Sequence, residues 1–187
     1  MGSLAMYFTG EQIAVIGRSF GKAERLAERW FGLGPGGFKD NRYDVQTRYY
    51  LADHEIQDRA FAHLCRYAWL KHQGEDGEPE ELHFFKICLQ DGRILDAVER
   101  SASFVKLEPL LCYIATHELV HVVRFNRGDA DFDAPLKEKI KEEERVHAIT
   151  RDILKPGADN DMKLVIDCFR NDYQVGDIFS EKERLLN

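Results

Sequence analysis

EPLLCYIATHELVHVVRF, residues 108–125, reads as one helix that is apolar on nearly every side. Leu110, Leu111, Ile114, Ala115, Leu119, Val122 and Val123 recur at helical spacing, and Pro109 stands where a first helical turn tolerates it. Into this helix are set His117, Glu118 and His121. Residues four apart share a helix face about one turn apart, so the His117 and His121 imidazoles can converge on a single ion with Glu118 beside them. Two histidines and a glutamate are costly to bury without a partner. A metal ion is one such partner; the plainer alternative is a pair of core histidines satisfied by nearby carboxylates. In an H-E-x-x-H site the carboxylate accepts the proton of the activated water and later passes it to the leaving amine, the role expected of Glu118.

Outward from this helix, residues 126–135 form a polar connection containing Gly128. A charged helix follows from about Leu136 to Leu154, stopped by Pro156 and Gly157. Upstream, Leu82 to Leu89 alternates in strand fashion, and Asp91-Gly92 predicts a hairpin turn before Arg93 to Val98. Before it, a helix starting near Asp53 carries Ile56, Ala60, Leu64, Tyr67 and Ala68 on its inner face, and the acidic stretch Gly74 to Glu81 reads as an exposed loop. At the start, Thr9 and Gln12 make a capping box for an amphipathic helix with Ile13, Ile16, Phe20, Ala23, Ala27 and Trp30. The glycine-rich run from Gly32 to Gly37 ends it, and Tyr43, Val45, Thr47 and Tyr49 alternate as a short strand. Near the end, Met162, Val165, Ile166 and Phe169 fit a helix, and Tyr173 to Phe179 an extended segment. The expectation is an α+β fold in a single domain spanning 1–187, with residues 1–8 and 180–187 as tails.

The composition narrows the classes. With 44% hydrophobic residues, 12 Phe, 7 Tyr and 2 Trp in 187 residues, the chain is too apolar to be disordered. No apolar run approaches the ~20 residues of a membrane helix. A formal charge of -7, from 26 basic and 33 acidic residues, offers no field for a polyanion, which argues against nucleic acid as a partner. Cys65, Cys88, Cys112 and Cys168 form no C-x-x-C pair and read as reduced core residues. MGSLAMYFTG lacks a basic stretch followed by an apolar one, so the expected compartment is the cytoplasm, with Met6 a candidate natural start.

Two histidines leave a zinc site short, since an open catalytic site has three protein ligands. The metzincin pattern would place Gly and His where Arg124 and Arg127 stand, which excludes it. The next candidates are on the following helix, where Lys141 to His147 puts Glu142, Glu143, Glu144 and His147 within two turns.

Here the sequence resembles the gluzincin metallopeptidases, in which a second helix carries a glutamate ligand in an E-x-x-x-(D/N) arrangement. Glu143 and His147 match that spacing, with histidine where Asp or Asn usually stands. Glu143 to Pro156 further resembles the second-helix segment of the ImmA/IrrE-type peptidases, with Val146-His147 in place of their Ala-Asn. The resemblance covers 117–156. It implies a zincin-like fold, with a small antiparallel sheet or hairpin packed against the H-E-x-x-H helix and a ligand-bearing helix after it. It further implies Zn2+ held by His117, His121 and Glu143, and hydrolysis of a peptide or protein substrate. His147, one turn beyond Glu143, then serves as a supporting partner that orients a ligand. Glu144 and Glu142 are the fallback ligands, and a solvated face is the expected place of Glu142.

Two rival readings remain open. Glu118-x-x-His121 and Glu144-x-x-His147 are both E-x-x-H, as in carboxylate-bridged di-iron bundles, although the chain between them is too short for the intervening helix. A regulatory or structural domain on a zincin scaffold is the other, with His147 as the residue that could close the metal site. Leu82 to Leu89 is the candidate edge strand for an extended substrate. Tyr113, Tyr173 and His83 are available as electrophiles, and surface or capping roles are expected of His54, His63, His72 and His83.

Overall fold

The computed structural model describes residues 6–71, 80–101 and 104–170. Among the described residues, five α-helices and a three-stranded mixed sheet make an α+β arrangement. Helix α1, Gly10–Phe31, starts at the Thr9 capping box and ends where Gly32 adopts a left-handed φ of 63°, a conformation that glycine accepts without Cβ strain. Ile16, Phe20, Ala23 and Ala27 are its buried stripe, whereas Ile13 and Trp30, expected on that stripe, are 43% and 48% exposed. The extreme positions of a long stripe rotate away from the axis of contact because 3.6 residues per turn does not repeat evenly.

Strand β1, Tyr43–Gln46, ends earlier than the alternation to Tyr49 suggested, because the chain coils into a short turn at Arg48–Tyr50. Strand β2, Ala62–Lys71, replaces most of the helix expected from Asp53. It pairs antiparallel with β3, Glu80–Leu89, over ten residues, while β1 pairs parallel with β3 on its other side. β3 is thus the central strand, and the expectation that residues 82–89 form an edge is overturned; the free edge beside the helices is β2. Phe85, Ile87, Cys88 and Leu89 are all buried, so β3 needs cover on both faces, and an apolar stretch of that kind draws a partner on each side.

The expected hairpin at Asp91-Gly92 is also overturned: helix α2, Asp91–Arg100, begins there. The Asp91 carboxylate accepts the Phe8 and Arg48 N–H groups at 3.2 and 2.9 Å, tying two loops to this helix start. Ile94, Ala97 and Val98 supply the three- and four-residue spacing that carries the chain forward as a helix.

Helix α3, Leu107–Arg127, runs through the middle of the molecule and packs against α1, α2 and β2 as well as helices α4, Leu136–Leu154, and α5, Asn160–Arg170. Leu111, Ala115, Leu119, Val120, Val122 and Val123 are fully buried along it. Loss of a side chain such as Leu111 or Leu119 from this centre costs about 2–5 kcal/mol. Gly128, with φ of 72°, closes α3, and α4 ends at Leu154, just before Pro156, as the sequence indicates. No helix among the described residues is long and apolar enough to cross a membrane. Residues Tyr173 to Phe179, His72 and most of the acidic stretch from Gly74 lie outside the described residues, although Glu80 and Glu81 already belong to β3.

Candidate metal centre

The site is built where α4 turns back antiparallel along α3. Moving down α3 from Arg124 through His121 and His117 to Tyr113, the facing residues on α4 are Glu142, Glu143 and His147 in turn. Arg124 is the first point of contact: its guanidinium donates to both Glu142 carboxylate oxygens at 2.5 and 2.9 Å. Glu142 is therefore not on a solvated face; its side chain is 13% exposed and clamps the two helices. A bidentate pair of this kind fixes geometry as well as energy. Val120 and Val146, both fully buried, pack beside it. With Glu142 held on Arg124, the next residue on α4 is delivered to the histidines.

Glu143 reaches them with both oxygens. Its Oε1 lies 3.0 Å from His121 Nε2 and its Oε2 3.3 Å from His117 Nε2, and one ligand atom of each of the three residues falls within 4.8 Å of the others. Nitrogen and oxygen ligands at zinc's usual distances, set at tetrahedral angles, are about 3.3 Å apart, so this donor set fits a zinc ion. The orientation of the rings comes from packing. His121 stacks on Phe125 with an interplanar angle of 13°, and the His117 ring lies 4.4 Å from that of His147. Neither Nδ1 atom makes a hydrogen bond, although both are buried.

Glu118 is 6% exposed and lines the same cleft. Burial raises its carboxyl above the ordinary value, against the pull of His117 and His121 beside it. Burial also works to raise Glu143, but His121 and the hydrogen bonds from both imidazoles outweigh it and hold that carboxyl well below its usual range. His121 is raised in return: the Glu143 charge overcomes the desolvation of its imidazolium. One carboxylate is thus pushed towards the neutral form and its neighbour towards the charged one. Separation of this kind between adjacent groups recurs at acid–base sites.

His147 is 6% exposed, and burial, then the neighbouring His117, lowers it to about 3, so it stays neutral. Its Nδ1 is 2.9 Å from the Tyr113 hydroxyl, and it supports His117 by ring contact. Glu144 is exposed on the outer rim and lies outside the converging group, so the two E-x-x-H motifs are not drawn to one centre.

These residues line a cleft of about 850 Å³ between α3, α4 and the edge strand. Phe61, His63 and Leu64 form the β2 wall, Phe132 lies at the connection between α3 and α4, and Arg151 and Phe169 stand beyond His147. Tyr113 is in the cleft, Tyr173 lies outside the described residues, and His83 is exposed on β3 away from it. His54 is exposed, the surface role expected of it, and its Nε2 is 3.2 Å from the Tyr67 hydroxyl. His63, assigned a surface role by spacing, belongs to the cleft wall. Its signal was present in the alternation His63-x-Cys65, readable only once residues 62–71 are taken as a strand. Cys65, Cys88, Cys112 and Cys168 are all free thiols, as expected, and the Cys65 and Cys88 sulfurs lie 3.8 Å apart. The chain matches no protein-family model, no curated protein and no solved structure.

Proposed function

We propose that this chain is a zinc-dependent peptide hydrolase with zincin-like packing, in which His117, His121 and Glu143 hold the metal and Glu118 is the general base. The observation that carries the reading is the convergence of two helical imidazoles and a carboxylate from a second helix at 3.0 and 3.3 Å, with a buried glutamate next to them. The donor number supports an enzyme over a structural site: the converging ligand atoms are those of His117, His121 and Glu143, and His147 is not among them.

Bound zinc supplies Lewis acidity and brings water into the range where it ionises near neutral pH. The chain's own groups do the rest. Glu118 takes the proton of the attacking water, an uptake that its raised affinity for protons favours, and delivers it to the leaving amine. The free edge of β2 at Ala62 to Leu64 lines the cleft, so an extended peptide can add to it by backbone hydrogen bonds, the role first assigned to residues 82–89. Phe61 and Phe132 offer apolar contact for its side chains, and Arg151 a cation for a carboxylate.

The test is metal content by mass spectrometry on tag-free protein, together with cleavage of a peptide library. About one zinc per chain attributable to this site is expected, lost in both His121→Ala and Glu143→Ala, with cleavage abolished in each. Zinc retained in full by Glu143→Ala would remove that residue from the ligand set. About two irons per chain would replace the hydrolase by the oxidative reading.

A further inference from the structure

A second set of ligand-type side chains lies on the sheet. β2 and β3 are antiparallel with His63 opposite Cys88 and Cys65 opposite Lys86, so all four residues project from one face. Lys86 is committed to Glu55 at 2.7 Å. The other three draw together: one ligand atom from each of His63, Cys65 and Cys88 lies within 4.8 Å of the others, and the two sulfurs are 3.8 Å apart. Two thiolates on one tetrahedral zinc ion, each at about 2.3 Å, are themselves about 3.8 Å apart. A disulfide would need them at about 2.05 Å. Both ring nitrogens of His63 are buried and make no hydrogen bond. A buried imidazole with neither nitrogen satisfied is uncommon, and each such group carries a desolvation cost. An ion bound to one ring nitrogen removes that nitrogen's share of it.

We infer that His63, Cys65 and Cys88 form a second metal site, selective for a thiophilic ion, with Zn2+ the ion that a Cys2His donor set suits. The ligands are distinct from those of the centre between α3 and α4, and the inference does not rest on peptide hydrolysis. The ion would bridge the edge strand β2 to the central strand β3, with both thiols giving up their protons on binding. Because His63 also lines the cleft, filling this site would fix that wall of it.

The experiment uses the full chain, reduced and demetallated, titrated with Co2+ and with Zn2+. Wild type is expected to take up about two zinc ions per chain and to show thiolate-to-cobalt charge-transfer absorption in the near ultraviolet. Cys65→Ser/Cys88→Ser loses that absorption and one equivalent of zinc, whereas His117→Ala/His121→Ala loses one equivalent and keeps the absorption. His63→Ala, which leaves both thiols in place, weakens zinc binding at this site about a hundredfold or more. A folded, reduced wild type without the charge-transfer band would overturn the inference. So would thiols that react with a disulfide reagent equally fast with and without zinc, or a Cys65–Cys88 disulfide in zinc-treated protein. A wild type that shows the band but lacks the zinc equivalent assigned to His117 and His121 would count against the hydrolase alone.

Discussion

Two polar clusters in the fold, around Glu55 and around Glu143, are built on opposite principles. Around Glu55, which is 1% exposed, every demand is met within the protein: Lys86 donates at 2.7 Å, the Ala52 N–H at 2.9 Å, and the Tyr67 hydroxyl completes the set. Around Glu143 two imidazoles point Nε2 at one carboxylate, their Nδ1 atoms have no partner, and a further carboxyl, Glu118, is buried alongside. The first cluster balances its charges and holds the loop after β1 onto the sheet. The second gathers electron-pair donors and supplies no fixed cation, which is costly for folding and useful for binding one.

The contrast can be broken or sharpened by substitution. The largest expected effect is in Glu118→Gln, where hydrolysis falls about a thousandfold while zinc content is unchanged. Thermal stability should hold or rise slightly, since a buried ionisable group is removed. Cleavage at the wild-type rate by zinc-loaded Glu118→Gln would strip Glu118 of its role. Next is Glu55→Ala, which strands Lys86 and the Tyr67 hydroxyl and should cost about 3 kcal/mol by chemical denaturation, with the zinc content of the α3–α4 centre untouched. Equal loss of metal there would mean that the two clusters are not independent.

A smaller effect follows from pH. Burial alone would raise the Glu55 carboxyl, but the hydrogen bonds from Lys86, Tyr67 and Ala52 prevail and lower it from 4.5 to about 2. A folded-state value below the unfolded one contributes stability above the unfolded value and loses it as pH falls towards the folded one. The stability gap between wild type and Glu55→Gln should therefore be constant above about pH 5 and shrink from there to about pH 2 in denaturation series. A gap that stays constant would show that the charge is not what Glu55 contributes. The smallest effect is expected of Tyr113→Phe, which leaves His147 Nδ1 without its partner and should cost about 1 kcal/mol, with little change in zinc content.

Helices α1, α3 and α4 were legible because their signals are local. Thr9 and Gln12, Gly32, Gly128 and Pro156 mark ends that any short window contains, and α3 falls within two residues of expectation and α4 upon it. The sheet was not. Ile56, Ala60, Leu64 and Tyr67 mimic helical spacing, and what makes residues 62–71 a strand is a partner about twenty residues away, buried on both faces. Asp91-Gly92 signals a turn, yet its carboxylate is spent on Phe8 and Arg48, contacts that no local reading contains. His117, Glu118 and His121 could be placed together from spacing alone. Glu143 was favoured over Glu142 and Glu144 by its spacing to His147; what the sequence did not carry is Arg124, which claims Glu142 from another helix. His63 was missed because its element was misread.

The Arg124–Glu142 clamp makes α4 a ruler with its zero mark set one residue before the ligand. Length changes in the connection at residues 129–134 fall outside the measured interval, so insertions there can be absorbed as a longer loop without moving Glu143. A single residue added between Glu142 and Glu143 turns the ligand by about 100° around the helix and carries it off the histidines while leaving the clamp closed. Divergent copies of this chain should therefore vary freely in the loop and keep an unbroken count along the helix.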